Sequence, residues 1–189
     1  MAKQGLIPFL IAGLALAIVN TANGAEQCYR GDADSGELEF RGVAEGSRFT
    51  GRFRSFEVRL CLKDQSPETA TIEVNVETGS ATVGNRQGDA ALVDEDLFAV
   101  EQFPEATWSS SEIEADDDGF LAAGELSLRG VSASQPVSLL FEFGEGSLKL
   151  SGSAEILRLE YGVGQGEFDD PDFIRDRVDL SFELMLSET

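Results

Sequence analysis

An all-β fold, either a closed antiparallel barrel or a sandwich of about eight strands, is what this sequence predicts. Three observations carry that prediction. Apolar and polar residues alternate with period two through most of the chain, as half-buried strands require. Gly, Asp, Ser and Asn cluster between the alternating runs, where turns are needed. About eight such runs fit into the 189 − 24 = 165 residues after the first segment, which suits one domain with its own core.

Residues 1–24 read as a signal peptide. Lys3 precedes an apolar run from Gly5 to Val19, and Ala22-Asn23-Gly24 places small side chains before a cleavage after Gly24. The run is too short and too near the terminus for a membrane span. Ala25-Glu26-Gln27 separate it from Cys28, so a lipoprotein signal is not expected. Residues 25–189 then form one exported domain, expected in the periplasm with no stable membrane insertion. An exported chain with only Cys28 and Cys61 most simply joins them in a disulfide.

The elements follow in order. Cys28 falls just ahead of the first alternating pair, Leu38 and Phe40. Phe49, Gly51 and Phe53 come next. Phe56, Val58, Leu60 and Leu62 then alternate with Glu57, Arg59, Cys61 and Lys63. That phase turns Cys61 outward, so the disulfide would pin the N-terminal segment to the outer wall. Ile72, Val74 and Val76 form another run. Residues 79–103, with DEDLFAVEQFP, break the alternation and predict one or two short helices. Leu126 and Leu128, then Val137, Leu139, Phe141 and Phe143, then Leu148 and Leu150 resume it. Val178, Leu180, Phe182, Leu184 and Leu186 make the cleanest strand.

The stretch Glu114–Glu125, EADDDGFLAAGE, matches the spacing of a calcium-binding EF-hand loop. An EF-hand needs helices on both sides, and here both flanks alternate at period two. The stretch reads instead as a hairpin tip, with Gly119 supplying a positive φ. Gly162-x-Gly164-x-Gly166 lacks the strand–helix setting and the spacing of a dinucleotide fingerprint. Arg30-Gly31-Asp32 is too short a string to carry an adhesion reading.

Charge and composition exclude whole classes. The net charge is −21, or −22 once Lys3 is removed with residues 1–24, so phosphate backbones and anionic lipid surfaces are repelled. The scarcity of Lys beside the excess of acids suggests a salty or GC-rich source. The chain has no His, which removes the usual exported zinc sites and every Ser-His or Cys-His nucleophile. Thirty-five acids make chance carboxylate pairs certain. No enzyme, metal site or cofactor is expected.

The order of landmarks carries a resemblance. Gly51-x-Phe53 precedes a strand. Phe103-Pro104-x-Ala106-x-Trp108 follows the helical region. Gly124-x-Leu126-x-x-x-Gly130-Val131 leads to Pro136-Val137, and Arg158-x-x-Tyr161-Gly162-x-Gly164 stands near the end. In this order, with these gaps, the chain resembles the YceI-like family of bacterial exported proteins. Arg86 and Asp89 in GNRQGDAAL depart from the family's adjacent Arg-Asp. The resemblance implies a lipocalin-like closed barrel holding a long isoprenoid, a quinone or polyprenyl lipid, for carriage, storage or stress protection. It implies a cytochrome-b-type membrane partner; a dimer stays open. The cavity lining it implies, together with strand phase, is Phe40, Phe53, Phe56, Val58, Leu60, Phe98, Phe103, Trp108, Phe141, Phe143, Arg158, Tyr161 and Phe182. By phase Arg158 lies opposite the apolar face, solvated or salt-bridged; by the family pattern it is a head-group candidate. Trp108 and Phe103 flank a proline segment that suits either a lid or simple packing at a strand start. The alternative is a non-enzymatic interaction or calcium-stabilised exported β-barrel module without a lipid ligand.

Overall fold

A computed structural model describes residues 25–189; the expected signal peptide lies outside them. It contains β1 (Glu26–Asp32), β2 (Gly36–Ala44), β3 (Ser47–Phe53), β4 (Phe56–Lys63), β5 (Ser66–Glu77), β6 (Ala81–Thr82), α1 (Arg86–Val93), β7 (Glu105–Asp116), β8 (Gly119–Leu128), β9 (Val131–Ser134), β10 (Val137–Gly144), β11 (Ser147–Leu157) and β12 (Arg177–Glu188). Cys28 therefore lies inside the first strand, not ahead of it.

Eight of these strands, in the order β1, β4, β5, β7, β8, β10, β11, β12, close a ring in which β12 returns to β1 through Tyr29↔Glu188 and Arg30↔Ser187. The barrel is antiparallel, with the expected strand number in the ring and further strands branching from it. β12 is the branch point. Its last residues pair with β1, whereas Asp179–Leu184 pair with β2. β2, β3 and β6 continue the wall past the ring's upper end, and β9 lies on β8. α1 packs on β6. The chain after α1 folds back on it, Phe98 donating to Leu92 O and Val100 to Val93 O.

Strand phase fixes what is inside. On β4 the side chains Phe56, Val58, Leu60 and Leu62 are all buried, while Glu57, Arg59 and Lys63 are exposed. On β12 Leu184 and Leu186 are buried and Met185 is 51% exposed. Two apolar clusters result. The lower one, with Leu60, Leu62, Leu148 and Leu186, lies inside the ring. The upper one, with Phe40, Leu97, Phe98, Tyr161 and Val163, lies under β2, β3 and the chain after α1. Phe53, Leu126 and Leu180 touch both.

The turns set the register. Glu45-Gly46, Asp64-Gln65 and Arg129-Gly130 each have two consecutive residues at positive φ, as the tight hairpin turn between twisted strands demands. The β7–β8 tip is Asp117-Asp118, with Asp116 opposite Gly119. Gly119 is not at positive φ, contrary to the expectation from sequence. It is required by close approach, since a Cβ there would lie 2.6 Å from Leu139 O. Glu125 pairs with Ser109 and Ser134 within the sheet, so it cannot turn back as a twelfth calcium ligand. Among the described residues no three His, Cys, Asp or Glu stand close enough to hold a metal ion.

Cys28 and Cys61 form the disulfide, and they are direct partners in the β1–β4 register. Cys61 alternates with the inward Leu60 and Leu62, so the bridge lies on the outer wall. No helix among the described residues is long and apolar enough to cross a membrane.

Candidate functional site

The barrel encloses a cavity of about 900 Å3, near the top of the ~300–1,000 Å3 range of small-molecule sites. Its wall is built from inward residues of the strands: Phe56 and Val58 of β4, Ile72, Val74 and Val76 of β5, Leu139 of β10, and Leu180, Phe182 and Leu184 of β12. Below it, Leu60, Leu62, Leu148 and Leu186 are almost wholly buried and form the floor. At the other end Glu45, Arg48, Asn85, Gln87 and Glu167, all exposed, border the opening.

The space exists because large rings lie flat against glycines. Phe40 covers Gly51, Phe49 covers Gly42, Trp108 covers Gly124 and Phe182 covers Gly152; a Cβ at any of these glycines would overlap the ring. Three of the four are direct cross-strand pairs. A ring laid along the wall leaves the axis free, whereas a side chain on each glycine would push its ring inward. Phe40, Phe53 and Phe98 then run along the wall with centroids 5.2 and 6.0 Å apart, within the range of favourable aromatic pairs.

Of the residues expected at the cavity, Phe40, Phe53, Phe56, Val58, Phe98, Trp108, Arg158 and Phe182 border it. The others do not. Leu60 points inward but lies in the floor below. Phe141 and Phe143 are half-buried against the lower cluster, stacked on each other, with Phe120 edge-on to Phe141. Phe103 packs over Gly130 outside the cavity. Tyr161 is 1% exposed, in the upper cluster, with burial raising its phenol pKa and Glu160 adding to the rise. Trp108 is no lid: it is fixed in the wall, its indole N–H donating to Gln135 O at 2.9 Å.

Arg158 also corrects the phase argument. The chain leaves β11 at Leu157 and makes a tight turn through Arg158–Tyr161, ending at Gly162 with φ 67°. The guanidinium is consequently buried, at 4% exposure. It donates to Arg175 O at 3.1 Å, Val163 O at 2.7 Å and Ile174 O at 2.6 Å. Burial lowers its pKa, opposed by the charges of Asp176 and Asp169, and it forms no ion pair with a carboxylate among the described residues.

Sequence reasoning missed three parts of the wall. Ala91 and Leu92 come from α1. Val163, Phe168, Phe173 and Ile174 come from the chain between β11 and β12, and Gln135 from the β9–β10 connection. The Phe pair around Asp169-Asp170-Pro171 was a readable sign for the second; its rings, 6.0 Å apart, close the loop on itself, and both border the cavity.

Residues 29–186 match the family described as the YceI-like domain. The chain belongs to the YceI-like family. It is 29% identical over 140 residues to a "UPF0312 protein" of Pectobacterium atrosepticum, a match covering 74% of this chain and 71% of that one. Two solved structures share the fold. Burkholderia cenocepacia BcnA superposes with a TM-score of 0.76 at 20% identity, covering 82% of this chain and 98% of BcnA. A polyisoprenoid binding domain from Saccharophagus degradans, implicated in plant cell wall breakdown, superposes with a TM-score of 0.61 at 13% identity, covering 86% and 98%.

Proposed function

We propose that this YceI-like barrel is a carrier or store for a long apolar isoprenoid, a quinone or polyprenyl lipid, in the periplasm. The observation that carries the reading is the cavity of about 900 Å3, open at one end, with its aromatic and aliphatic wall. A chain drawn into it is held by area removed from water, roughly 25 cal/mol per Å2, and needs no charge. The structural relative that binds polyisoprenoids has the same fold, and the disulfide suits an exported protein. A cytochrome-b-type membrane protein is the delivery partner this reading suggests for a quinone. A neutral head group fits better than a pyrophosphate, because Arg158 is engaged by three carbonyls and the surface is strongly acidic. Native mass spectrometry of protein from its own cells, followed by solvent extraction, tests this: the expected result is a bound neutral prenyl lipid. Empty protein that also takes up no added prenyl lipid would end the carrier reading, and extraction of phosphorylated isoprenoids alone would overturn the neutral head.

A further inference from the structure

Gln135 places an amide in the apolar wall. It joins β9 to β10, is 6% exposed and borders the cavity. Its backbone is fixed on both sides: the N–H donates to Gly124 O at 2.8 Å, and the carbonyl accepts from Trp108 Nε1. The side-chain Nε2 donates to Pro136 O and to Glu155 O, each at 3.0 Å. Two acceptors at that end fix the orientation of the amide, since the reversed amide would set Oε1 against two carbonyl oxygens.

Oε1 is thereby turned away from both carbonyls, and no donor among the described residues reaches it. It is not sealed in protein either. Among the described residues, the fully enclosed side-chain polar atoms without a partner are Arg129 Nε and Tyr161 OH. Gln135 borders the cavity, and with the amide nitrogen held by both carbonyls the cavity is the space left for Oε1 to face. The level of Gln135 is set by Gly124 of β8, which its backbone faces, two residues along that strand from Leu126, which packs against both apolar clusters. A lone acceptor in an apolar wall is unfavourable when its occupant is pure hydrocarbon and favourable when the occupant brings a donor.

We propose that Gln135 determines which isoprenoids the cavity prefers: Oε1 accepts a hydrogen bond from a free hydroxyl on the lipid. Prenyl lipids with a hydroxyl group are selected over equally long ones with only ether or carbonyl oxygens, which would meet Oε1 lone pair to lone pair. This inference rests on the carrier reading above.

Geranylgeraniol and its methyl ether provide the test, because the ether replaces the one hydrogen concerned with a methyl group, whose own burial favours the ether and so works against the expected preference. The wild-type protein should bind the alcohol about threefold to tenfold more tightly, and Q135M should bind the two alike. The 13C resonance of the Gln135 side-chain carbonyl should move with the alcohol and not with the ether, which reads the contact in wild-type protein even if Q135M fails to fold. Equal affinity of the wild type for both probes with an unmoved resonance overturns the inference and leaves the carrier standing. A preference that Q135M keeps also overturns it. A wild type that binds neither probe overturns the carrier reading first and this inference with it.

Discussion

Arg158 has a role set by the shape of its head group. One planar guanidinium holds three carbonyls, those of Val163, Ile174 and Arg175, and so draws the chain between β11 and β12 across the upper end of the barrel. Gly164 leaves room for it; a Cβ there would overlap Nη1. A lysine ammonium is a single point with three donors on a flexible stem and cannot span the same fork. R158K should therefore leave buried carbonyls unpaired and lower stability by about 2–4 kcal/mol, read as a fall in the urea midpoint. R175K, changed at an exposed side chain, should shift the midpoint little. An R158K protein as stable as the wild type would contradict the bracing role.

At the scale of the element, α1 stands out because none of its residues is buried. Polar anchors hold it. Asn85 caps its first turn by accepting from Gly88 N at 2.9 Å. Asp89 reaches back to β6, accepting from Val83 N at 2.8 Å and from the Thr82 hydroxyl at 2.8 and 2.9 Å. The backbone N–H of Val83 is the largest cause of a carboxyl pKa held below the ordinary value, with Thr82 next. A depressed folded pKa means the contribution is complete above the unfolded value, ~3.9 for Asp, and is lost as pH falls through the folded value. The stability difference between wild type and D89N should thus stay constant from neutrality to about pH 5 and shrink on further acidification. Urea midpoints of both proteins across that range measure it; a difference that grew in acid would contradict the anchor. Such anchors were hardly legible in the sequence, where Asp89 looked like a displaced family residue. The strands were legible because period two is local: Phe56 to Leu62 and Val178 to Leu186 face inward as their alternation requires. How high an inward residue sits along the axis depends on register between strands distant in sequence. Leu60 and Phe141 therefore had the right face and the wrong level. Arg158 failed for another reason: extrapolated alternation does not register that β11 has ended. Gln135, between Ser134 and Pro136, lies outside the alternating runs, and only the fold makes that connection part of the wall.

Over the whole molecule, closure and charge pull in opposite directions. The ring meets at β1 and β12 through two residue pairs. β1 is held there by its register with β4, by the Cys28–Cys61 bridge, and by Thr189 N–H donating to Cys28 O at 3.0 Å. Against this closure stands a net charge of −21 − 1 = −22 on residues 25–189, since residues 1–24 contain one Lys and no acid. Five of the cations, Arg41, Arg48, Arg52, Arg54 and Arg86, fall on β2, β3, the turn after β3 and the start of α1. The β7–β8 tip, with Glu112, Glu114, Asp116, Asp117 and Asp118, has none. The ion pairs, such as Arg177–Glu155 and Lys149–Glu183, join largely exposed side chains and contribute little each, about 0–1 kcal/mol. Repulsion among unpaired carboxylates is then the larger electrostatic effect, and folding concentrates it. Salt shortens the reach of that repulsion, from a Debye length of about 30 Å at 0.01 M to about 3 Å at 1 M. The unfolded chain, being expanded, gains less from the same screening. The urea midpoint should rise steadily with sodium chloride over this range. A midpoint that fell would mean that the ion pairs on β11 and β12 stabilise the barrel more than the surplus of acid opposes it.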